Sequence, residues 1–206
     1  MAEYTLTCLK GEALACQRGL KLLFEGLDLA ARAGVPLVVT GPNGTGKSSL
    51  LRILAGLLPA TAGTVRLEGA GEAGLAEQVH YLGHEDAVKG ALTVDANLRF
   101  WRAVLGETGL GVRDALEEVG LGALPRLRAG VLSAGQKRRL AMARLLVSRR
   151  PVWILDEPTT ALDAAAQRMF AGFARAHLAG GGILVAATHA PLDLGAGDEL
   201  KLGGRA

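Results

Sequence analysis

Uninterrupted apolar runs alternate with amphipathic stretches along this chain, and the two patterns divide it. Leu37 to Thr40, Val152 to Leu155 and Ile183 to Ala187 are continuous apolar segments of four or five residues, the pattern of strands buried on both faces of a parallel sheet. Near the start, Thr5 to Leu9, Glu12 to Cys16 and the alternating Leu27, Leu29 segment are short and separated by glycine and charge, which predicts a small antiparallel sheet. Further strands are expected around Val65 to Leu67 and Val79 to Leu82. Ser48 to Leu58, closed by Gly56 and Pro59, predicts a helix, and Asp95 to Leu146 is helix-like, most clearly from Gly135 to Ser148. The expectation is an α/β fold in one domain over residues 1–206. Core and β-subdomain would take about 1–83 and 149–206, and a helical subdomain about 84–148.

Composition narrows the class. At roughly 150 residues per domain, 206 residues make one domain, and 50% hydrophobic against 21% charged residues excludes a disordered chain. Only 4% are aromatic, so Ala, Leu, Val and Ile must fill the core. A net charge of +3 gives little reason to expect nucleic acid. The clusters Lys137, Arg138, Arg139 and Arg149, Arg150 read as solvated residues near a helix C-terminus. Cys8 and Cys16 match no metal, haem-attachment or disulfide pattern, so a reducing compartment fits. Lys10 and Glu12 interrupt any leader-like apolar stretch, and no run of about 18 apolar residues exists to span a bilayer. The chain is expected to be soluble and to meet a membrane only through partners.

The chemistry begins where the Leu37 to Thr40 strand ends. Gly41, Pro42, Asn43, Gly44, Thr45, Gly46, Lys47 and Ser48 fit G-x-x-x-x-G-K-[ST] between a strand and a helix, with Ser49 following. Glycines let successive backbone N–H groups converge on phosphate at a helix N-terminus, Lys47 supplies a cation for the β and γ phosphates, and the Ser48 hydroxyl suits Mg2+. Val152 to Asp156 is a buried strand ending in two carboxylates, Asp156 and Glu157. Asp156 would hold Mg2+ through water and Glu157 would polarise an attacking water.

Leu132, Ser133, Ala134, Gly135 and Gln136, shortly before that strand, resemble the LSGGQ signature of the ABC ATPases. Thr160 to Asp163 resembles the family's D-loop, and His189 its switch histidine. The resemblance covers nearly the whole chain and implies an ABC-type P-loop NTPase with a RecA-like core. It also implies ATP and Mg2+ as ligands and a sandwich dimer of two copies. In that dimer Ser133, Gly135 and Gln136 of one copy would cover the nucleotide of the other, Asp163 would communicate between sites, and His189 would meet the γ-phosphate beside Glu157.

The branch is read from departures and local runs. Ala134 replaces the first signature glycine, and His84 stands where the Q-loop glutamine is expected, with Glu85 next to it as the other candidate for sensing the γ-phosphate. Tyr81 to His84, Leu92 to Val94, Asn97 to Phe100 and Trp153 to Pro158 are similar to the haem-exporter ATPases of cytochrome c maturation, which the compact length also suits. That resemblance implies a peripheral subunit on the cytoplasmic face of a bacterial inner membrane, bound to integral membrane subunits that handle haem, with neither haem nor nucleic acid bound by this chain. A soluble ABC ATPase of DNA repair or translation, and the ATPase of an exporter for another substrate, are the alternatives. No aromatic stands near Arg18 at the spacing expected for adenine stacking, so either that guanidinium stacks on the base or adenine is held loosely. Phe100 and Trp101 are either docking residues for membrane subunits or buried within the helical insert.

Overall fold

The computed structural model describes residues 6–70 and 74–203. In chain order the first elements are β1 (Cys8–Arg18), β2 (Lys21–Arg32), β3 (Pro36–Thr40), α1 (Lys47–Leu54), β4 (Ala62–Glu68), α2 (Leu75–Gln78) and β5 (Val79–Leu82). They are followed by α3 (Val94–Leu105), α4 (Val112–Glu118), a 3-10 turn at Ala129–Val131, α5 (Ala134–Val147), β6 (Val152–Asp156), α6 (Ala164–Ala179), β7 (Ile183–Ala187) and β8 (Asp198–Lys201). Of the described residues, those up to 81, with 151–158 and 173 onward, form one compact unit, and residues 82–150 with 159–172 form a second.

The first unit holds two sheets. A three-stranded sheet has the order β2-β1-β4, with β1 antiparallel to both neighbours. The two short runs expected near the start are one strand interrupted by a bulge. Ala13 adopts φ 48° and its amide donates to Asp28 Oδ1 at 2.7 Å, so the side-chain alternation breaks while the pairing continues on both sides. Thr5 lies outside the described residues. The second sheet has the order β5-β6-β7-β3-β8, in which β6–β7, β7–β3 and β3–β8 are parallel. Every residue of β6 and β7 is buried, as their unbroken apolar runs require.

Helix α1 docks through Leu50, Leu51 and Leu54 into the same cluster as Val39, Ile154 and Val185. Each such buried side chain contributes about 2 kcal/mol, which fixes where the start of α1 lies relative to the end of β3. The helix ends at Leu54, four residues before the expected Leu58, because Gly56 turns left-handed at φ 69° and the amides of Leu57 and Leu58 return to the Arg52 carbonyl.

In the second unit the helix-like stretch is divided. Thr93 caps α3 by accepting from the Ala96 amide at 3.2 Å, and left-handed glycines at Gly106 and Gly120 follow α3 and α4. Helices α3, α4 and α5 pack on one another around buried Leu98, Leu116, Leu140 and Met142. Three elements had no counterpart among the sequence expectations, the four-residue α2, α6 and the edge strand β8.

Candidate functional site

Strand β3 delivers the chain into Gly41 through Gly46, and three glycines there have φ of 136°, 78° and 103° at positions 41, 44 and 46. Gly41 has a second reason to lack a side chain, since a Cβ would collide with the Leu202 carbonyl just beyond β8. Thr45 Oγ1 donates to the Pro42 carbonyl at 2.9 Å and closes the loop on itself. No side chain caps the N-terminus of α1, and its first turn carries no acidic residue, so its leading N–H groups face the loop uncompensated by carboxylate. Lys47 is buried, with Nζ donating to the carbonyls of Gly41 at 2.7 Å and Pro42 at 3.1 Å. Its ammonium is therefore held at the loop by two neutral acceptors. An anionic phosphate oxygen makes a stronger, charge-assisted bond than either carbonyl. Ser48 and Ser49 occupy the next positions of α1, Ser48 exposed and Ser49 half-buried. Lys21, from β2, also reaches this loop, with Nζ donating to the Gly44 carbonyl at 3.3 Å, a contact that sequence reasoning missed.

Asp156, at the end of β6, is paired in register with Ala187 and is 4% exposed. Glu157 turns out of the strand with φ 48°, while its amide still donates to the Ala187 carbonyl at 2.8 Å. A left-handed backbone at a residue with a long side chain costs about 1–2 kcal/mol, and the retained hydrogen bond to β7 holds it there. His189, two residues past β7, places Nε2 3.0 Å from Asn43 Oδ1 of the phosphate loop and 3.9 Å from Glu157 Oε1. Asn43, Glu157 and His189, distant in sequence, thus meet at the C-terminal ends of β3, β6 and β7. Tyr81, on β5, bonds Arg52 of α1; burial, with the Asp156 charge adding to it, pushes the phenol pKa up.

Ser133 caps α5 in the second unit. Its hydroxyl accepts from the Gln136 amide at 3.2 Å, and the Gln136 side chain accepts from the Ser133 amide at 2.9 Å, a reciprocal capping box. A Cβ on Gly135 would lie 2.8 Å from the Ala161 carbonyl, which ties the glycine to the turn before α6. Ala161 itself has φ 63°. Asp163 caps α6, its Oδ1 accepting from the Ala166 amide at 2.8 Å. His84 and Glu85 are both exposed.

The basic cluster of α5 is not the solvated C-terminal group expected from the sequence. Lys137, Arg138 and Arg139 stand in the N-terminal half of α5, where the helix dipole gives a cation no favourable site, and Arg138 is 2% exposed rather than solvated. It donates to Asp86 Oδ1 at 2.9 Å and to the Gly83 carbonyl at 2.8 Å, so it brackets His84 and Glu85. Arg144 donates to the Asp86 carbonyl at 3.1 Å, and burial lowers its pKa to about 10. The same guanidinium lies 4.1 Å over the ring of Trp101. Trp101 is half-buried and Phe100 is 38% exposed beneath Lys89, so the pair is not interior to the helices. Arg18 is exposed at the end of β1.

Known proteins match this arrangement. A model of the ABC transporter family covers residues 24–160. A cytochrome c biogenesis ATP-binding export protein, CcmA, from Nitrobacter winogradskyi is 56% identical over 199 residues, spanning 96% of this chain and 99% of the relative. Among solved structures, an ABC transporter ATP-binding protein from Pyrococcus furiosus superposes with a TM-score of 0.80 at 22% identity, covering 95% of this chain and 98% of that one. A dimeric ATP-binding cassette bound to ADP and phosphate superposes with a TM-score of 0.76 at 21% identity, covering 88% of each chain. The last two establish the α/β fold, and with the family match and the near-full-length identity they lead to one conclusion: this chain belongs to the ABC transporter family, among its CcmA-type ATP-binding export proteins.

Proposed function

We propose that this chain hydrolyses ATP to energise haem export, or release of a haem chaperone, in c-type cytochrome maturation, as a peripheral subunit at the cytoplasmic face of a bacterial inner membrane. Membership of the family makes it an ATP-binding ATPase. The observation that carries the catalytic assignment is the convergence of Asn43, Glu157 and His189 beside a phosphate loop whose lysine is already desolvated. The relative's name supports the cytochrome c role.

Each residue has a distinct task. Gly41 to Ser49 cradle the phosphates with backbone N–H groups, and Lys47 moves from two carbonyls onto phosphate oxygen. Glu157 orients water for in-line attack and His189 donates to the γ-phosphate. Ser48 and Asp156 are hard oxygen donors and few in number, a set that fits Mg2+, which keeps several waters. Bound there, the ion supplies charge neutralisation for the phosphates. In a dimer of two copies, Ser133, Gly135 and Gln136 close the partner's nucleotide and Asp163 links the two sites. His84 or Glu85 reports on the γ-phosphate. Either Arg18 stacks on the base or adenine is held loosely. Haem stays with integral membrane subunits, and no nucleic acid takes part.

Haem staining of membrane proteins from a strain lacking this chain decides the biological role. Mature c-type cytochromes should be absent and should return with the wild-type chain but not with Glu157→Gln. Normal holocytochrome levels in a deletion strain without a paralogue contradict the haem role and leave the ATPase assignment standing.

A further inference from the structure

The contact between His189 and the phosphate loop determines more than where the ring lies. We propose that Asn43 is a positioning residue that selects the Nε2–H tautomer of His189 and aims that proton into the phosphate loop. Two oxygens face the same ring nitrogen, Asn43 Oδ1 at 3.0 Å and Glu157 Oε1 at 3.9 Å. An amide carbonyl and a carboxylate can only accept, so the neutral ring bonds Asn43, with no lone pair turned at Glu157, by carrying its proton on Nε2 and leaving Nδ1 as the acceptor.

The root of the ring is set separately. Buried Thr188 donates through Oγ1 to the Ala190 carbonyl at 3.0 Å and accepts from the Ala190 amide at 3.0 Å, which fixes the backbone on both sides of His189. Asn43 then fixes the tip, and at 3.0 Å it wins the proton over Glu157 at 3.9 Å, a separation beyond hydrogen-bond range. The consequence is a division of labour. Glu157 keeps its carboxylate for water while His189 presents a donor, and not a lone pair, to the loop that binds phosphate.

This inference rests on the assignment of His189 to hydrolysis made above, and the experiment separates the two. Ring 15N shifts of His189, assigned by loss of its signals in His189→Ala, should report the Nε2–H tautomer in the wild-type chain. Asn43→Leu, similar in shape but without an acceptor, should lose that preference, and Asn43→Asp, which keeps an acceptor, should retain it. Asn43→Leu should also lower kcat about tenfold with a smaller change in KM for ATP, and should lower it no further in a His189→Ala background. An Nδ1–H tautomer in the wild type, an unchanged tautomer in Asn43→Leu, or additive losses in the double variant would overturn the inference while His189→Ala alone still slows hydrolysis. A His189→Ala variant with wild-type kcat would instead overturn the hydrolysis assignment, and with it the catalytic consequence drawn here.

Discussion

The two units hold their functional residues by different means. In the first, backbone does most of the holding: parallel strands end together, glycines turn the phosphate loop, and the Ala187 carbonyl retains the Glu157 amide after the strand has finished. In the second, side chains take over. Ser133 and Gln136 cap each other, Asp163 caps α6, and Arg138 and Arg144 grip the backbone and carboxylate of the loop that carries His84 and Glu85. A site set by sheet ladders tolerates surface changes and fails at its chemical groups. A site set by buried ionic and capping contacts loses its geometry when one partner is removed.

Substitutions can break this contrast at either end. The largest effect is expected at Lys47, because Lys47→Ala removes the charge held at the loop by Gly41 and Pro42. Most ATP affinity should vanish in a titration with a fluorescent ATP analogue while the unfolding midpoint hardly moves. In the helical unit the reverse holds. Asp86→Ala removes the carboxylate partner of the buried Arg138 guanidinium, leaving its bond to the Gly83 carbonyl, and should lower stability by about 3 kcal/mol in urea titration, with faster amide exchange over residues 83–86. Unchanged exchange there would show that the arginines do not hold the loop.

Acid acts on the first unit, through a buried histidine. His177 stacks on Trp153 at 4.1 Å between ring centroids, bonds the Ile183 carbonyl, and has its pKa lowered to about 4, mainly by burial. The unfolded chain, with a histidine near its ordinary value of 6.5, takes up the proton first. Stability is therefore complete above that value and is lost progressively as pH falls from about 6.5 towards 4, by about 2 kcal/mol at pH 5. His177→Phe keeps a ring on Trp153 and should flatten that dependence when urea midpoints at pH 7 and 5 are compared. The smallest effect is expected from Ser133→Ala, which removes half of the capping box and should cost about 1 kcal/mol by the same titration.

Much of the first unit was legible because its signals are local. A short apolar strand before G-x-x-x-x-G-K-S, and another ending in Asp156 and Glu157, state their own positions. What escaped depends on distance or on weak contrast. β8, in which half-buried Asp198 and Leu200 alternate with exposed Glu199 and Lys201, has no apolar run and exists through its pairing with β3. α6 is rich in alanine, which blurs the boundary between its faces. Arg138 lies 52 residues from Asp86, and His189 lies 146 residues from Asn43, so neither contact leaves a pattern within any window.

If Glu157 drives hydrolysis in a nucleotide sandwich of two copies, as proposed, Glu157→Gln must separate binding from turnover. The purified variant, given ATP and Mg2+, should bind nucleotide like the wild type and turn it over about 10² to 10⁴ times more slowly. Light scattering should show an accumulated dimer. Wild-type turnover, or a chain that stays monomeric with ATP bound, would contradict it.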